Sequence, residues 1–179
     1  MQDLAARVDL PDLACVSPAA EDRSWYPERF MDPRSANEPV LSRSIDRVQE
    51  TLDQLADEGV EPGRTVFGGF SQGGCLACDV LAQRPRELAA FVVLCGGLIG
   101  ATEDEVTKPP AGSLDGMPAL ITGTEGDEWV PPERVERTAA IFEAAGARVT
   151  LRIHPPGPHE VHDDEVVELR RLLLELRGA

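Results

Sequence analysis

The sequence predicts an α/β fold, a mostly parallel sheet with helices on both faces. Three observations lead there. Strand-like apolar runs alternate with helix-like segments along the whole chain, the pattern that builds parallel strands joined by crossover helices. The run Leu88–Cys95 is continuously apolar, as strands buried on both faces are. Gly69-Phe70-Ser71-Gln72-Gly73 joins the β-type run Arg64–Phe67 to the helix-like Cys75–Ala82 through a sharp turn. In such a sheet the loops at the strand C-termini carry the chemistry. With 179 residues, the chain is long enough to bury one core and is expected to form a single domain over residues 1–179.

The elements follow in order. Asp3–Val8 reads as the end of a helix, stopped by Pro11. Leu13–Val16 is a short apolar strand closed by Ser17-Pro18, and residues 19–37 form a Pro-, Asp- and Arg-rich loop carrying Trp25, Tyr26, Phe30 and Met31. Asn37 is an N-cap for a helix to about Glu58, because Val40, Leu41, Ile45, Val48, Leu52 and Leu55 recur at helical spacing. Gly59 ends it. The strand, turn and helix around Ser71 run to Arg84, before Pro85. After Leu88–Cys95 comes a loop over 98–116, then a strand, Pro118–Thr122. A helix over Glu133–Ala145, a half-covered strand over Arg148–Ile153 and a final helix over Asp163–Arg177 complete the chain.

Composition excludes several partners. The formal net charge is −15, and Lys108 is the single lysine. Such a surface repels nucleic acid and anionic membrane. The sequence has no membrane span and no basic-then-apolar leader, so the default expectation is a cytoplasmic protein without a membrane anchor. Cys75-x-x-Cys78 has redox-like spacing but lies inside a helix, and no second cysteine pair completes a zinc set. The four cysteines are expected to be buried free thiols. Neither a metal nor a cofactor is expected.

The turn around Ser71 can do covalent chemistry. Glycines at 69 and 73 let strand and helix cross closely, and a serine at a helix start has backbone N–H groups beside it for a developing oxyanion. A serine hydroxyl needs a base, and the base an orienting carboxylate. Of the three histidines, His154 ends a strand, His162 begins the last helix, and His159 lies in a loop that can swing over the turn. Between serine and histidine, the loop after the strand Pro118–Thr122 offers Glu125, Asp127 and Glu128. His162 with Asp163 and Asp164 could suggest a metal, but acidic groups at a helix N-terminus are explained by the helix dipole.

Gly68-Gly69-Phe70-Ser71-Gln72-Gly73-Gly74, with Trp25-Tyr26-Pro27, Asp127-Glu128-Trp129-Val130-Pro131 and Gly157-Pro158-His159, resembles the phospholipase/carboxylesterase group of α/β-hydrolases, which includes the acyl-protein thioesterases. The resemblance covers nearly the whole chain. It implies Ser71 as nucleophile, His159 as base, Asp127 as orienting acid and the Gln72 N–H as an oxyanion donor. Trp25, Tyr26 and Trp129 become candidates for contact with a small-molecule ester or thioester, and the family pattern allows a homodimer. One segment of that pattern has no counterpart: a His-Gly-ended strand, central in the sheet, that supplies the second oxyanion N–H. The expectation is therefore an N-terminally truncated α/β-hydrolase-like fold, in which Val66–Phe70 either bares an edge or pairs with Leu13–Val16. A degenerate, non-catalytic binding module is the alternative to a serine esterase.

Overall fold

The computed structural model describes residues 2–178. Four parallel strands, β1 (Val66–Phe70), β2 (Ala90–Leu94), β3 (Pro118–Thr124) and β4 (Arg148–His154), lie side by side in chain order. Five α-helices accompany them: α1 (Gln2–Val8), α2 (Val40–Asp57), α3 (Gln72–Gln83), α4 (Pro132–Ala144) and α5 (Asp163–Gly178).

The strand side chains alternate between two cores. Phe91, Val93, Ala119 and Ile121 join Ile45, Leu76 and Phe142 of α2, α3 and α4 on one face. Val92, Leu94 and Leu120 meet Leu4 and Val8 of α1 and Val166 and Leu169 of α5 on the other. Both faces of β2 are thereby covered, which is why its five residues are all buried and why its sequence shows no polar alternation. The helices sit as their apolar spacing requires: α2 buries Leu41, Ile45, Val48 and Leu52 along one stripe.

Three expectations need correction here. Leu13–Val16 is not a strand. It pairs with no element among the described residues, and Leu13 and Val16 are 40% and 56% exposed. Without a neighbour to complete its backbone hydrogen bonds, a short apolar run has no ladder to join. Among the described residues β1 is consequently a sheet edge, bonded to β2 alone. Asn37 does not cap α2, which starts three residues later. Its side chain instead ties the preceding loop, accepting from the Glu28 N–H at 2.8 Å and donating to the Arg29 carbonyl at 3.2 Å. Of the cysteines, Cys75, Cys78 and Cys95 are buried, while Cys15 is exposed along with its unpaired segment.

Candidate active site

Ser71 occupies the bend between β1 and α3 with φ 53° and ψ −124°. A residue with a Cβ is strained there, and such strain clusters at functional sites. The crossing explains the glycine content of the turn. A Cβ on Gly69 would lie 2.4 Å from the Gly73 backbone, whereas one on Gly73 would meet nothing closer than Trp25 Nε1 at 3.8 Å. The steric demand thus falls on Gly69, with Gly73 supplying the backbone it must clear.

Although Ser71 is the N-cap residue of α3, its hydroxyl makes no capping bond. It meets His159 instead: Ser71 Oγ lies 2.7 Å from Nε2, and the opposite ring nitrogen, Nδ1, lies 2.6 Å from Asp127 Oδ2. Phe70 packs on the imidazole, with ring centroids 5.0 Å apart. The other Asp127 oxygen, Oδ1, accepts from the N–H groups of Trp129 at 2.8 Å and Val130 at 3.1 Å. Burial alone would raise this carboxyl, but the bonds from His159, Trp129 and Val130 outweigh it and hold Asp127 below its ordinary value. A carboxylate fixed at three points cannot rotate, so it sets which way the imidazole faces.

Three loops converge here because β1, β3 and β4, strands of one parallel sheet, all end at the same edge of it. β1 delivers Ser71, β3 delivers Asp127, and the segment after β4 delivers His159. The alternatives are held elsewhere. His162 Nε2 lies 3.3 Å from Thr124 Oγ1, and its backbone N–H donates to Glu165 at 2.7 Å. His154 faces Asp164 and the buried Glu165. Glu125 and Glu128 are exposed.

As the first residue of α3, Gln72 has an N–H with no carbonyl four residues upstream in the helix to receive it. Its side chain has a role the sequence did not disclose. Oε1 accepts from the Trp25 N–H at 3.0 Å, and Nε2 donates to Ser24 Oγ at 3.1 Å and the Tyr26 carbonyl at 2.9 Å. Ser44 of α2 holds the Trp25 carbonyl at 2.6 Å, and the ion pair of half-buried Arg34 with buried Asp79 ties the end of the same loop to α3. Trp25 is left half-buried beside the helix start.

Tyr26 does not line the site. Its side chain is 2% exposed and packed in the main core with Cys75 beside it. Burial, with nearby Cys75 and Asp79, pushes the phenol far up, so it stays an uncharged anchor. A large ring beside a proline serves equally to anchor a loop or to line a pocket; the backbone turn after Trp25 decides it by sending Tyr26 inward. Trp129 is 63% exposed at the rim, with the Arg29 guanidinium 6.0 Å from its ring centroid.

The sequence profile of the phospholipase/carboxylesterase family matches residues 15–175. The chain belongs to that family. Among relatives of this phospholipase/carboxylesterase member, acyl-protein thioesterase 1 of Gibberella zeae is 28% identical over 123 residues, covering 68% of this chain and 52% of the relative. Lysophospholipase-like protein 1 of Mus musculus is 27% identical over 141 residues, covering 76% and 58%. The chain thus spans little more than half the length of these relatives. The crystal structure of a phospholipase/carboxylesterase from Dyadobacter fermentans superposes with a TM-score of 0.78 at 28% identity, over 86% of this chain and 73% of that one. A carboxylesterase from Mesorhizobium loti, 23% identical, shares the fold with a TM-score of 0.72 over 96% and 80%. Family members of these names are hydrolases, and the parallel sheet flanked by helices is the α/β-hydrolase architecture.

Proposed function

We propose that this family member is a serine hydrolase that cleaves small carboxylic esters, thioesters or lysophospholipids through an acyl-enzyme on Ser71. What carries the proposal is the unbroken line Ser71 Oγ, His159, Asp127, with contacts of 2.7 and 2.6 Å. His159 Nε2 takes the hydroxyl proton as Oγ attacks the carbonyl carbon. Asp127 holds Nδ1–H and stabilises the imidazolium that forms. The Gln72 N–H, at the positive end of α3, faces the oxyanion. His159 then returns the proton to the departing alcohol or thiol, and water, activated by the same base, releases the acid. No metal or organic cofactor enters this cycle. Trp25 and Trp129 border the acyl or leaving-group side of the substrate. Among the described residues no helix is long and apolar enough to cross a membrane, and the substrates proposed are small molecules reaching an open site from water.

The second proposal is a binding module with little turnover, and the edge position of β1 favours it. Among the described residues β1 pairs with β2 alone, and no adjoining strand there presents a second oxyanion N–H opposite Gln72. Loss of one such donor lowers kcat by about 100- to 1000-fold. Hydrolysis of short p-nitrophenyl esters and of an acyl thioester, measured for the protein and for Ser71→Ala and His159→Gln, separates the two. Turnover lost in both variants supports the hydrolase; equal slow rates in all three proteins support the binding module.

A further inference from the structure

Cys95 stands where β2 leaves the sheet, and its backbone is bent sharply there, with φ 47° in the left-handed region. A residue with a Cβ is strained in that conformation. The position is fixed by the Cys95 N–H, which donates to the Thr122 carbonyl at 3.0 Å, and the thiol is fully buried with its sulfur 3.9 Å from Thr124 Oγ1. The hydrolytic cycle uses no thiol. Yet Cys95 Sγ, a ring nitrogen of His159 and a carboxylate oxygen of Asp127 lie within 4.8 Å of one another. Sulfur, imidazole and carboxylate are the three donor types that zinc takes, and three protein ligands plus water make a common zinc arrangement.

We propose that Cys95, His159 and Asp127 form an inhibitory site for zinc or a similarly thiophilic divalent cation; the inhibition rests on the role assigned to His159 above. Zinc bonds of about 2.0–2.3 Å place tetrahedral ligand atoms about 3.5 Å apart, so the His159–Asp127 contact of 2.6 Å must open by roughly 1 Å while the sulfur's separations, within 4.8 Å, close by about as much. His159 can supply that movement, since it lies on the loop between β4 and α5 and its side chain is 19% exposed. The ion enters from the solvent side of His159 as the imidazole leaves Ser71. Bonds form from zinc to Sγ, to one ring nitrogen and to one Asp127 oxygen, with water in the fourth position. The thiol proton passes to solvent and no atom changes oxidation state. Coordinated in this way, His159 cannot accept the Ser71 proton, and Asp127 no longer orients it.

The test uses the full chain carrying Cys15→Ser, which removes the exposed thiol, with and without Cys95→Ser. Cobalt(II) is titrated into each protein and followed by its thiolate charge-transfer absorption. Zinc affinity is measured by calorimetry, and ester hydrolysis at rising zinc is expressed relative to each protein's own metal-free rate. The expected result is a thiolate band that Cys95→Ser abolishes, with zinc affinity and the half-inhibitory zinc concentration both weakened at least tenfold. Absence of the band, or equal zinc affinity in both proteins, overturns the site. A band and a Cys95-dependent zinc affinity with unchanged hydrolysis overturn the inhibitory role. The same binding in a protein with no hydrolysis at all supports the metal site while contradicting the hydrolase proposal, so the two failures are told apart.

Discussion

Gln72 holds Trp25 across the turn: the Trp25 N–H donates to Gln72 Oε1 at 3.0 Å, while the backbone of Gln72 begins α3 next to Ser71. One residue therefore joins the loop over residues 24–26 to the helix start. Gln72→Ala deletes three side-chain hydrogen bonds, each worth about 1 kcal/mol net, but leaves the backbone N–H in place. The expected outcome is destabilisation of about 1–3 kcal/mol in urea unfolding, with KM for ester substrates raised more than kcat falls. Unchanged stability and KM would show that the loop is held by Ser44 and Arg34 alone.

The two outer glycines of the turn should respond differently. Gly69→Ala forces a Cβ to within 2.4 Å of the Gly73 backbone, where neither strand nor helix can yield cheaply. Gly73→Ala meets only ordinary contact with Trp25. Thermal unfolding should show Gly69→Ala as unfolded or lowered by several kcal/mol, and Gly73→Ala within about 1 kcal/mol of the parent. Equal loss in both would mean that Gly73 is needed for its backbone freedom.

Tyr26 separates anchoring from substrate contact. Tyr26→Phe keeps the buried ring and removes only the hydroxyl, for an expected loss of about 1 kcal/mol or less. Tyr26→Ala empties core volume and should lose about 3–5 kcal/mol. In Tyr26→Phe the KM for short esters should not change; a several-fold change would return Tyr26 to the substrate site.

Asp127 ties activity to pH with a definite sign. Its folded-state pKa lies below the ordinary 3.8, so the stability it contributes is complete above that value and is lost as pH falls through the lower folded value. Asp127→Asn should lower kcat by about 10⁴-fold, the magnitude seen for the equivalent change in serine-protease triads. The stability gap between parent and variant should be constant near neutrality and shrink below about pH 4. A gap that widens on acidification would contradict the hydrogen-bonding that depresses this carboxyl.

Much of the fold was legible because its signals are local. The continuous apolar run from 88 to 95, the stripe of Leu41, Ile45, Val48 and Leu52, and the strand-to-helix turn at Ser71 each encode their own element. Leu13–Val16 misled because strand formation needs a neighbour, and an apolar run does not say whether one is present. Tyr26 misled because adjacent aromatics in a loop point to opposite sides, and only the path of the chain fixes which enters the core. Ser71, Asp127 and His159 were readable as candidates from residue type and chain order. Gln72 Oε1 and Cys95 Sγ were not, because their roles depend on contacts with Trp25, 47 residues away, and with a histidine and an aspartate brought in from other loops.

The most direct test of the central claim is intact-mass analysis after treatment with a fluorophosphonate, which phosphonylates only a serine activated by a base. The account predicts one adduct on the protein, mapped to the peptide containing Ser71 and absent from Ser71→Ala, with His159→Gln labelled far more slowly. An adduct of equal yield on Ser71→Ala, or a folded protein that takes no label, would contradict it.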